Sequence, residues 1–215
     1  MATIRHIGER RDSANYEPVF DLETSWVVGV EALSPAPEAS NGTAVVRSAV
    51  AALTSLPSRT FVSVRLAPSD LGRLLAALEG HQLDRLVVHL EGVDADAGSV
   101  AASIARLRRR GGRLALDVSP GPGALRRIGE AAPDLIELSA AMTRGIDTDR
   151  SLRAVAIGLV ALGEQIGSPV EAQGISTAGE LATLRGMGVA YGRGPILAEP
   201  FPLTELFPDL PPDAA

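Results

Sequence analysis

The sequence has no cysteine, few aromatic residues and no long apolar run. Without cysteine, disulfide bonds, thiolate metal sites and a cysteine nucleophile are excluded. Aromatic residues make up only 3% of the chain, so a core has to be built mainly from aliphatic side chains. No stretch reaches the length of a membrane span without a charge or a helix breaker, and residues 1–15 lack the apolar segment of a signal peptide. We therefore expect a cytoplasmic protein without membrane contacts.

Basic residues are in the minority. The formal net charge of -6 disfavours a nucleic-acid-binding protein, because such proteins usually present a basic face. The densest basic cluster, Arg106 with residues 108–110, follows apolar residues at helical spacing. Arginines in a last helical turn complement the negative end of the helix dipole, and we favour this interpretation over an anion or partner site.

The chain is long enough for one sizeable core, with 215 residues of which 46% are apolar. We predict a single domain over residues 14–208, between flexible ends at residues 1–13 and 209–215. Two short strand candidates, residues 16–22 and 26–33, flank a turn, and this arrangement predicts an antiparallel hairpin.

After the hairpin, predicted helices and strands alternate. Asp147 is the predicted N-cap of the longest helix, Ser69 that of an earlier one, and Thr177 and Glu180 have capping-box spacing. The predicted helices include residues 44–56 and 100–110, and the predicted strands are residues 61–66, 86–90, 113–118, 135–138, 169–173 and 189–193. Alternation of this kind favours a largely parallel sheet, and about eight strands favour a closed barrel.

In such a barrel the functional site lies at the carboxyl ends of the strands. The polar residues that the predicted strands place there are Glu31, Arg65, His89 or Glu91, Asp117, Glu137, Ser139, Gln173 and Arg193. The three histidines show no metal-ligand spacing, and no Gly-x-Ser-x-Gly elbow supports a catalytic triad.

Six segments, taken in order, resemble the EAL domain family. The opening hairpin carries YEPV at residues 16–19 and VGVEAL at residues 28–33, with the Glu-Ala-Leu signature intact. The later segments are VSVRL at 62–66, LALD at 114–117, DLIELS at 134–139, VEAQGIS at 170–176 and Arg193-Gly194 followed by Pro200. The resemblance covers about residues 14–205, and the ordered series is far more specific than any single short match.

This resemblance implies an α/β fold, a modified TIM (β/α)8-type barrel with an N-terminal antiparallel hairpin. It also implies a site for cyclic di-GMP, which active members hydrolyse to the linear dinucleotide with two Mg²⁺ or Mn²⁺ ions. Hard divalent cations need carboxylate and amide oxygens, and two such ions activate a water and stabilise the charge that develops on the phosphate.

The sequence departs from the family pattern at most of these positions. Glu31 and Asp117 match the first metal-binding Glu and the first of two paired Asp residues. Arg65, a permanent cation that repels a metal, replaces an Asn ligand, and Glu137 replaces the catalytic Lys. The second metal-binding Glu aligns with His89, or with Glu91 in a shifted alignment, and the remaining departures are Val118, Ser139, Gln173, Ser176 and Arg193.

Two roles are open for Arg65 and Arg193. They either neutralise Glu31, Asp117 and Glu137, with Glu31 paired to Arg65 across neighbouring strand ends, or they bind an anion directly. Guanidinium matches phosphate in a bidentate way, so the second role needs no metal. The structure can distinguish the two roles. Arginines that bind an anion would point into an open cavity, whereas arginines that neutralise the site would be paired with carboxylates.

Loss of one catalytic residue often lowers the rate by orders of magnitude, and here most of the family's catalytic and metal-binding residues are replaced together. We therefore expect little or no phosphodiesterase activity and no catalytic residue. We also expect no cofactor, and Mg²⁺ or Mn²⁺ would matter only for residual activity. The first hypothesis is a non-enzymatic regulatory or protein-interaction module in bacterial signalling, with an unidentified protein partner and, by family analogy, a homodimer. The alternatives are a metal-independent receptor for cyclic di-GMP or another anionic nucleotide, and a weak phosphodiesterase. The predicted vestigial pocket consists of Glu31, Arg65, Glu91, Asp117, Glu137, Gln173 and Arg193.

Overall fold

Eight strands close into a barrel in the order in which they occur in the sequence. The computed structural model describes residues 15–33, 49, 52–53, 55–90, 97–118 and 124–206. The strands are β1 (Tyr16–Asp21), β2 (Val27–Ala32), β3 (Phe61–Leu66), β4 (Leu86–Leu90), β5 (Arg113–Val118), β6 (Leu135–Leu138), β7 (Val170–Ala172) and β8 (Tyr191–Gly192). The predicted α/β barrel with its N-terminal hairpin is therefore confirmed.

The barrel is mixed, because one strand runs against the others. Strand β1 is antiparallel to both of its neighbours, β2 and β8, whereas all other neighbouring strands are parallel. In the first pair Tyr16 lies opposite Ala32 and Glu17 opposite Glu31. The amino end of β1 therefore lies beside the carboxyl ends of the other strands, which is the side where the site is predicted.

Helices cover the outside of the barrel. They are α1 (Leu71–Ala77), which follows a 3-10 turn at Pro68–Asp70, α2 (Ala97–Arg109), α3 (Ala124–Ala131), α4 (Ala140–Thr143), α5 (Arg150–Ile166), α6 (Ala178–Gly186) and α7 (Leu203–Leu206). Within the predicted helix at 44–56, the described residues Ala49, Ala52, Leu53 and Ser55 are helical. Within the part of the chain that the structure describes, no helix is long and apolar enough to cross a membrane.

The buried face of α1 has the residue spacing of one side of a helix. Leu71, Leu74, Leu75 and Leu78 are all fully buried, and they pack with outward-facing residues of β2–β5 in one continuous apolar cluster. A second cluster fills the space between β5–β7 and the helices α5 and α6. Together these clusters hold the strands in place, and so fix the positions of the side chains inside the barrel.

The helix caps were predicted with mixed success. The capping box of α6 is confirmed, because Thr177 accepts from the Glu180 backbone N–H and the Glu180 side chain accepts from that of Thr177. Helix α5 is capped by Asp149 instead of Asp147, since Asp149 has the extended backbone that a cap requires. Ser69 caps no helix, because it lies within the 3-10 turn that precedes α1.

The arginine cluster lies at the end of α2, as predicted, and two of its members also bind neighbouring segments. Arg108 donates to the Ala131 carbonyl at the end of α3 at 3.0 Å. Arg110 donates to the carbonyls of Leu75 and His81 at 3.0 and 2.8 Å. The acceptors are carbonyls of the last turns of α3 and α1 and of the loop that follows α1, which supports a structural role for both arginines.

The amino-terminal end of the barrel interior is filled by apolar side chains. Phe61 packs edge-on against Tyr191, with 6.3 Å between ring centroids, and it fills the space beside Gly29, where an added Cβ would lie 2.4 Å from the ring. The cluster consists of Val19, Phe61, Val87, Ala115 and Leu135, with Val28 and Tyr191 packed against it. This plug closes one end of the barrel and leaves the other end for the site.

Candidate functional site

Ionisable side chains line the barrel interior beyond the apolar plug. Alternate residues of a strand face the same side, so residues two or four positions from a plug residue of their own strand also face inward; Glu31 lies two positions after Gly29, which borders the Phe61 ring, and Glu171 lies opposite Glu137. The inward-facing ionisable residues are Glu17, Glu31, Arg65, His89, Asp117, Glu137, Glu171 and Arg193, and we call this set the charged layer. Among these described residues, five carboxylates face two arginines and one histidine.

Arg193 lies at the centre of the charged layer and is only 1% exposed. Its Nη1 lies 2.5 Å from Glu17 Oε2, and its Nη2 lies 2.7 Å from Glu31 Oε2 and 3.1 Å from Glu137 Oε1. Its Nε donates to Glu171 Oε1 at 3.0 Å. One guanidinium therefore contacts carboxylates from four strands, β1, β2, β6 and β7. These carboxylates raise the pKa of Arg193 despite its burial.

Arg65 holds the same carboxylates from nearer the mouth of the barrel. Its Nη2 donates to both oxygens of Glu137 at 2.6 and 2.8 Å, and its Nε donates to Glu31 at 3.3 Å. Its Nη1 lies 3.6 Å from Asp117 Oδ2. The predicted pairing of Glu31 with Arg65 is thus present, and Arg65 is engaged by three acidic residues.

His89 lies inside the barrel beside Glu137, and both side chains are fully buried. The His89 Nδ1 atom contacts Glu137 Oε2. Burial alone would lower the pKa of His89, but the Glu137 carboxylate outweighs it and raises this pKa. Burial would likewise raise the pKa of Glu137, but His89, Arg193 and Arg65 lower it strongly. The charged form of each side chain therefore stabilises the charged form of the other.

Glu171 has the least favourable environment of the carboxylates. Burial raises its pKa to about 7, although Arg193 opposes this shift. Burial also raises the pKa of Glu17, again against the influence of Arg193. Both shifts have burial as their main cause, and the neighbouring carboxylates Glu31 and Glu137 add to it.

The predicted site residues differ in how far they join this layer. Glu31, Arg65, Asp117, Glu137 and Arg193 are brought together. Gln173 is half-buried beyond the end of β7, and its backbone N–H donates to the Leu138 carbonyl. Ser139 is buried at the start of α4. Glu91 lies outside the described residues.

Sequence reasoning missed Glu17 and Glu171 as members of the layer. Glu171 is a charged residue between two apolar ones in a short strand, Val170–Ala172, and this pattern signals an inward-facing position. Glu17 lies two residues before Val19, a plug residue, so the alternation of β1 carries the same signal. Both residues lie within segments that resemble the family, but the resemblance assigns neither of them a metal-binding or catalytic role.

Glu180 fastens two loops at the mouth of the barrel. Its Oε1 accepts from the backbone N–H of Gly145, and its Oε2 accepts from the backbone N–H groups of Ser176 and Thr177 and from the Ser176 hydroxyl, all at 2.8–3.1 Å. Glu180 is buried, and although burial would raise its pKa, these donors lower it. The ionised carboxylate thereby ties the β7–α6 connection to the segment before α5.

We expect Glu180→Gln to lower the unfolding free energy by about 2 kcal/mol at pH 7, because an NH2 group replaces one carboxylate oxygen and cannot accept from the backbone N–H groups that it then faces. The pKa of Glu180 is lower in the folded protein than the unfolded value of 4.5. The ionised carboxylate therefore stabilises the fold above pH 4.5, and this stabilisation is lost as the pH falls through the folded-state pKa. The difference between wild type and variant should therefore shrink on acidification. Urea unfolding at pH 7 and pH 3.5 measures it, with Glu164→Gln on exposed α5 as the control; equal losses at both pH values would contradict it.

The chain was compared with known protein families. A model of the EAL domain matches residues 42–200, about three quarters of the chain. The chain belongs to the EAL domain family. The match begins after β2 and does not include Glu31. Glu31 is assigned to the site because the barrel places its side chain against Arg65 and Arg193. No curated protein matches the sequence of this EAL domain.

Solved structures show the same fold at low sequence identity. An EAL domain protein from Listeria monocytogenes EGD-e is 17% identical with a TM-score of 0.78, covering 92% of each chain. The EAL domain of Mycobacterium smegmatis DcpA is 18% identical with a TM-score of 0.77, covering 90% of this chain and 93% of that one. Klebsiella pneumoniae BlrP1, in a manganese and cyclic di-GMP complex, is 21% identical with a TM-score of 0.76, covering 93% of this chain and 58% of that one.

The residues of the charged layer do not fit the two-metal centre of active EAL domains. Glu31, His89 and Glu137 each offer a ligand atom, and the three atoms lie within 4.8 Å of one another. However, Arg65 and Arg193 contact the oxygens of both carboxylates at 2.6–3.3 Å. A divalent ion in this position would lie next to two guanidinium groups, whose positive charges would repel it.

Proposed function

We propose that this EAL domain is catalytically inactive and works as a non-enzymatic regulatory or protein-interaction module in bacterial signalling. The observation that supports the proposal is the engagement of Glu31 and Glu137 by Arg65 and Arg193. The oxygens that a divalent ion would need are already bound to permanent cations. The position of the catalytic Lys in the family is held by Glu137, whose charge is opposite.

The same ion pairs argue against the alternative that the domain is a receptor for cyclic di-GMP. Arg193 is almost completely buried among carboxylates, and Arg65 is bound to three of them. An incoming phosphate would have to displace those carboxylates and would meet an interior with an excess of negative charge. We therefore infer that the vestigial pocket does not bind cyclic di-GMP, and that the unidentified partner is a protein, with a homodimer as one form of assembly.

Purified protein incubated with cyclic di-GMP and either Mg²⁺ or Mn²⁺ is expected to form no linear dinucleotide above the level of a protein-free blank. Chromatographic separation of the cyclic and linear forms gives the measurement, and an active EAL-domain phosphodiesterase in the same buffers shows that the conditions allow turnover. Any turnover that is found should be repeated with Glu31→Gln. Metal-dependent cleavage that this variant loses would refute the inactive assignment, whereas cleavage that persists comes from a contaminant.

Calorimetric titration with cyclic di-GMP separates the receptor from the protein-interaction module. In buffer with and without Mg²⁺ we expect no binding heat from folded protein. Saturable heat without metal and without ring opening would replace the proposed function by that of a receptor. Arg65→Gln would then show whether the mouth of the barrel supplies the binding site.

A further inference from the structure

We infer that the Arg193 guanidinium is the resident cation of a carboxylate site inside the barrel, and that removing it turns the charged layer into a site for one divalent metal ion. The inference extends the proposed function, because it states which group takes the place of an external cation. It concerns binding alone and assigns no reaction to the site.

The contacts of Arg193 surround it as ligands surround a bound cation. Oxygens of Glu17, Glu31, Glu137 and Glu171 lie 2.5–3.1 Å from its three nitrogens. The side chain is 1% exposed, so water contributes little to its stabilisation. Four strands thus present their carboxylates to one positive charge, which is the arrangement of a cation-binding site.

Two atoms of the charged layer that could bind a metal ion form no hydrogen bond with Arg193 or with any other described residue. Glu171 Oε2 and His89 Nε2 are buried and have no hydrogen-bond partner among the described residues. Both belong to residues with no solvent exposure. Buried polar atoms are normally satisfied, so these two are unused ligand atoms of the charged layer: Glu171 binds Arg193 through its other oxygen, and His89 contacts Glu137 through its other nitrogen.

The balance of charge explains why Arg65 cannot serve in place of Arg193. Arg65 binds Glu31, Glu137 and Asp117 from the mouth of the barrel, where its side chain is 18% exposed. Glu17 and Glu171 form their ion pairs in the described structure with Arg193. Loss of the Arg193 charge therefore leaves the buried Glu171 and the partly buried Glu17 without the cation that they bind.

Mn²⁺ is the appropriate probe for the vacated position. Carboxylate oxygens suit this ion, and imidazole accompanies carboxylates in many of its protein sites. Arg193→Gln removes the charge and keeps a polar side chain at this position. Arg193→Lys is the matched control, because it keeps a positive charge inside the barrel. Arg193→Gln/Glu31→Gln tests whether Glu31 is a ligand.

Binding is measured on the full chain by the loss of the electron paramagnetic resonance signal of free Mn²⁺ and by the shift in thermal unfolding. We expect Arg193→Gln to bind one Mn²⁺ at least about tenfold more tightly than wild type and Arg193→Lys, with a matching rise in Tm. The double variant should lose this gain. Folding of Arg193→Gln only in the presence of Mn²⁺ would also support the inference.

Two results would overturn it. They are a folded Arg193→Gln variant that binds Mn²⁺ no more tightly than wild type, and a variant that stays unfolded at millimolar Mn²⁺. Neither outcome depends on hydrolysis. Wild-type protein that binds Mn²⁺ without cleaving cyclic di-GMP would refute this inference alone, whereas cleavage by the wild type would refute the proposed function.

Discussion

Replacing Arg193 with methionine is expected to lower the unfolding free energy by about 3–5 kcal/mol at pH 8. Methionine fills similar space but leaves Glu17, Glu31, Glu137 and Glu171 without the charge that they share. Breaking a buried ion pair costs far more than the pair contributes, because the remaining charge stays desolvated. Here a single guanidinium compensates several buried carboxylates, so we expect a value at the upper end of this range.

The loss should depend on pH in a defined direction. Without Arg193 the buried carboxylates have pKa values above those of the unfolded chain, so the folded variant binds protons more tightly. Its stability then falls as the pH rises, and the difference from wild type should be smaller at pH 5.5 than at pH 8. Urea unfolding followed by circular dichroism measures both values. Arg150→Met, at the exposed start of α5, is the control and should change stability by about 0.5 kcal/mol or less. A loss below about 1 kcal/mol at pH 8 would mean that Arg193 is not the main counter-ion.

The order of strands could be predicted from sequence, because local patterns specify it. Strands such as Leu86–Leu90 and Arg113–Val118 are short, apolar and separated by helices, and consecutive parallel strands become neighbours in a barrel. The pair formed by Glu31 and Arg65 follows from this rule, since β2 and β3 are consecutive and adjacent. Alternation also places His89 inside, because Leu86, Val88 and Leu90 belong to the core outside the barrel.

Contacts that depend on barrel closure could not be predicted in this way. Arg193 meets Glu17 because β8 pairs with β1, and because β1 runs in the opposite direction to the other strands. These two residues are 176 positions apart in sequence. The meeting of Glu137 with Arg65 depends on the width of the barrel, since β3 and β6 are not neighbours. Sequence spacing does not encode either distance.

The departures from the EAL pattern at Arg65, Glu137 and Arg193 compensate one another in charge. By resemblance to the EAL pattern, Arg65 and Arg193 add two positive charges, while Glu137 replaces a positive charge with a negative one. Glu137 contacts both arginines and His89, so the introduced acid lies where the introduced bases converge. The inward-facing positions of the barrel therefore remain polar, and the arginines that occupy two of them neutralise the carboxylates at the others.

Gly194→Ala is expected to lower the unfolding free energy by about 3 kcal/mol or more. Gly194 has a φ of +143°, which a residue with a side chain rarely adopts, and an added Cβ would lie 2.3 Å from Ile175 N and 2.5 Å from Ile175 O. These are backbone atoms, so the clash cannot be relieved by rotating a side chain. The matched control is Gly158→Ala in α5, where nothing lies within 4 Å of the added Cβ and alanine favours the helix by about 0.5–1 kcal/mol.

The same substitution should act on the charged layer through the backbone. Ile175 N donates to the carbonyl of Arg193 at 3.0 Å, so moving Ile175 away from Gly194 also displaces Arg193 from its carboxylates. Part of the cost of Gly194→Ala is then the cost of losing Arg193. The double variant Gly194→Ala/Arg193→Met should consequently lose less stability than the sum of the two single losses, by about 1 kcal/mol or more. Strict additivity would show that the close approach of Gly194 to Ile175 supports the fold without positioning Arg193.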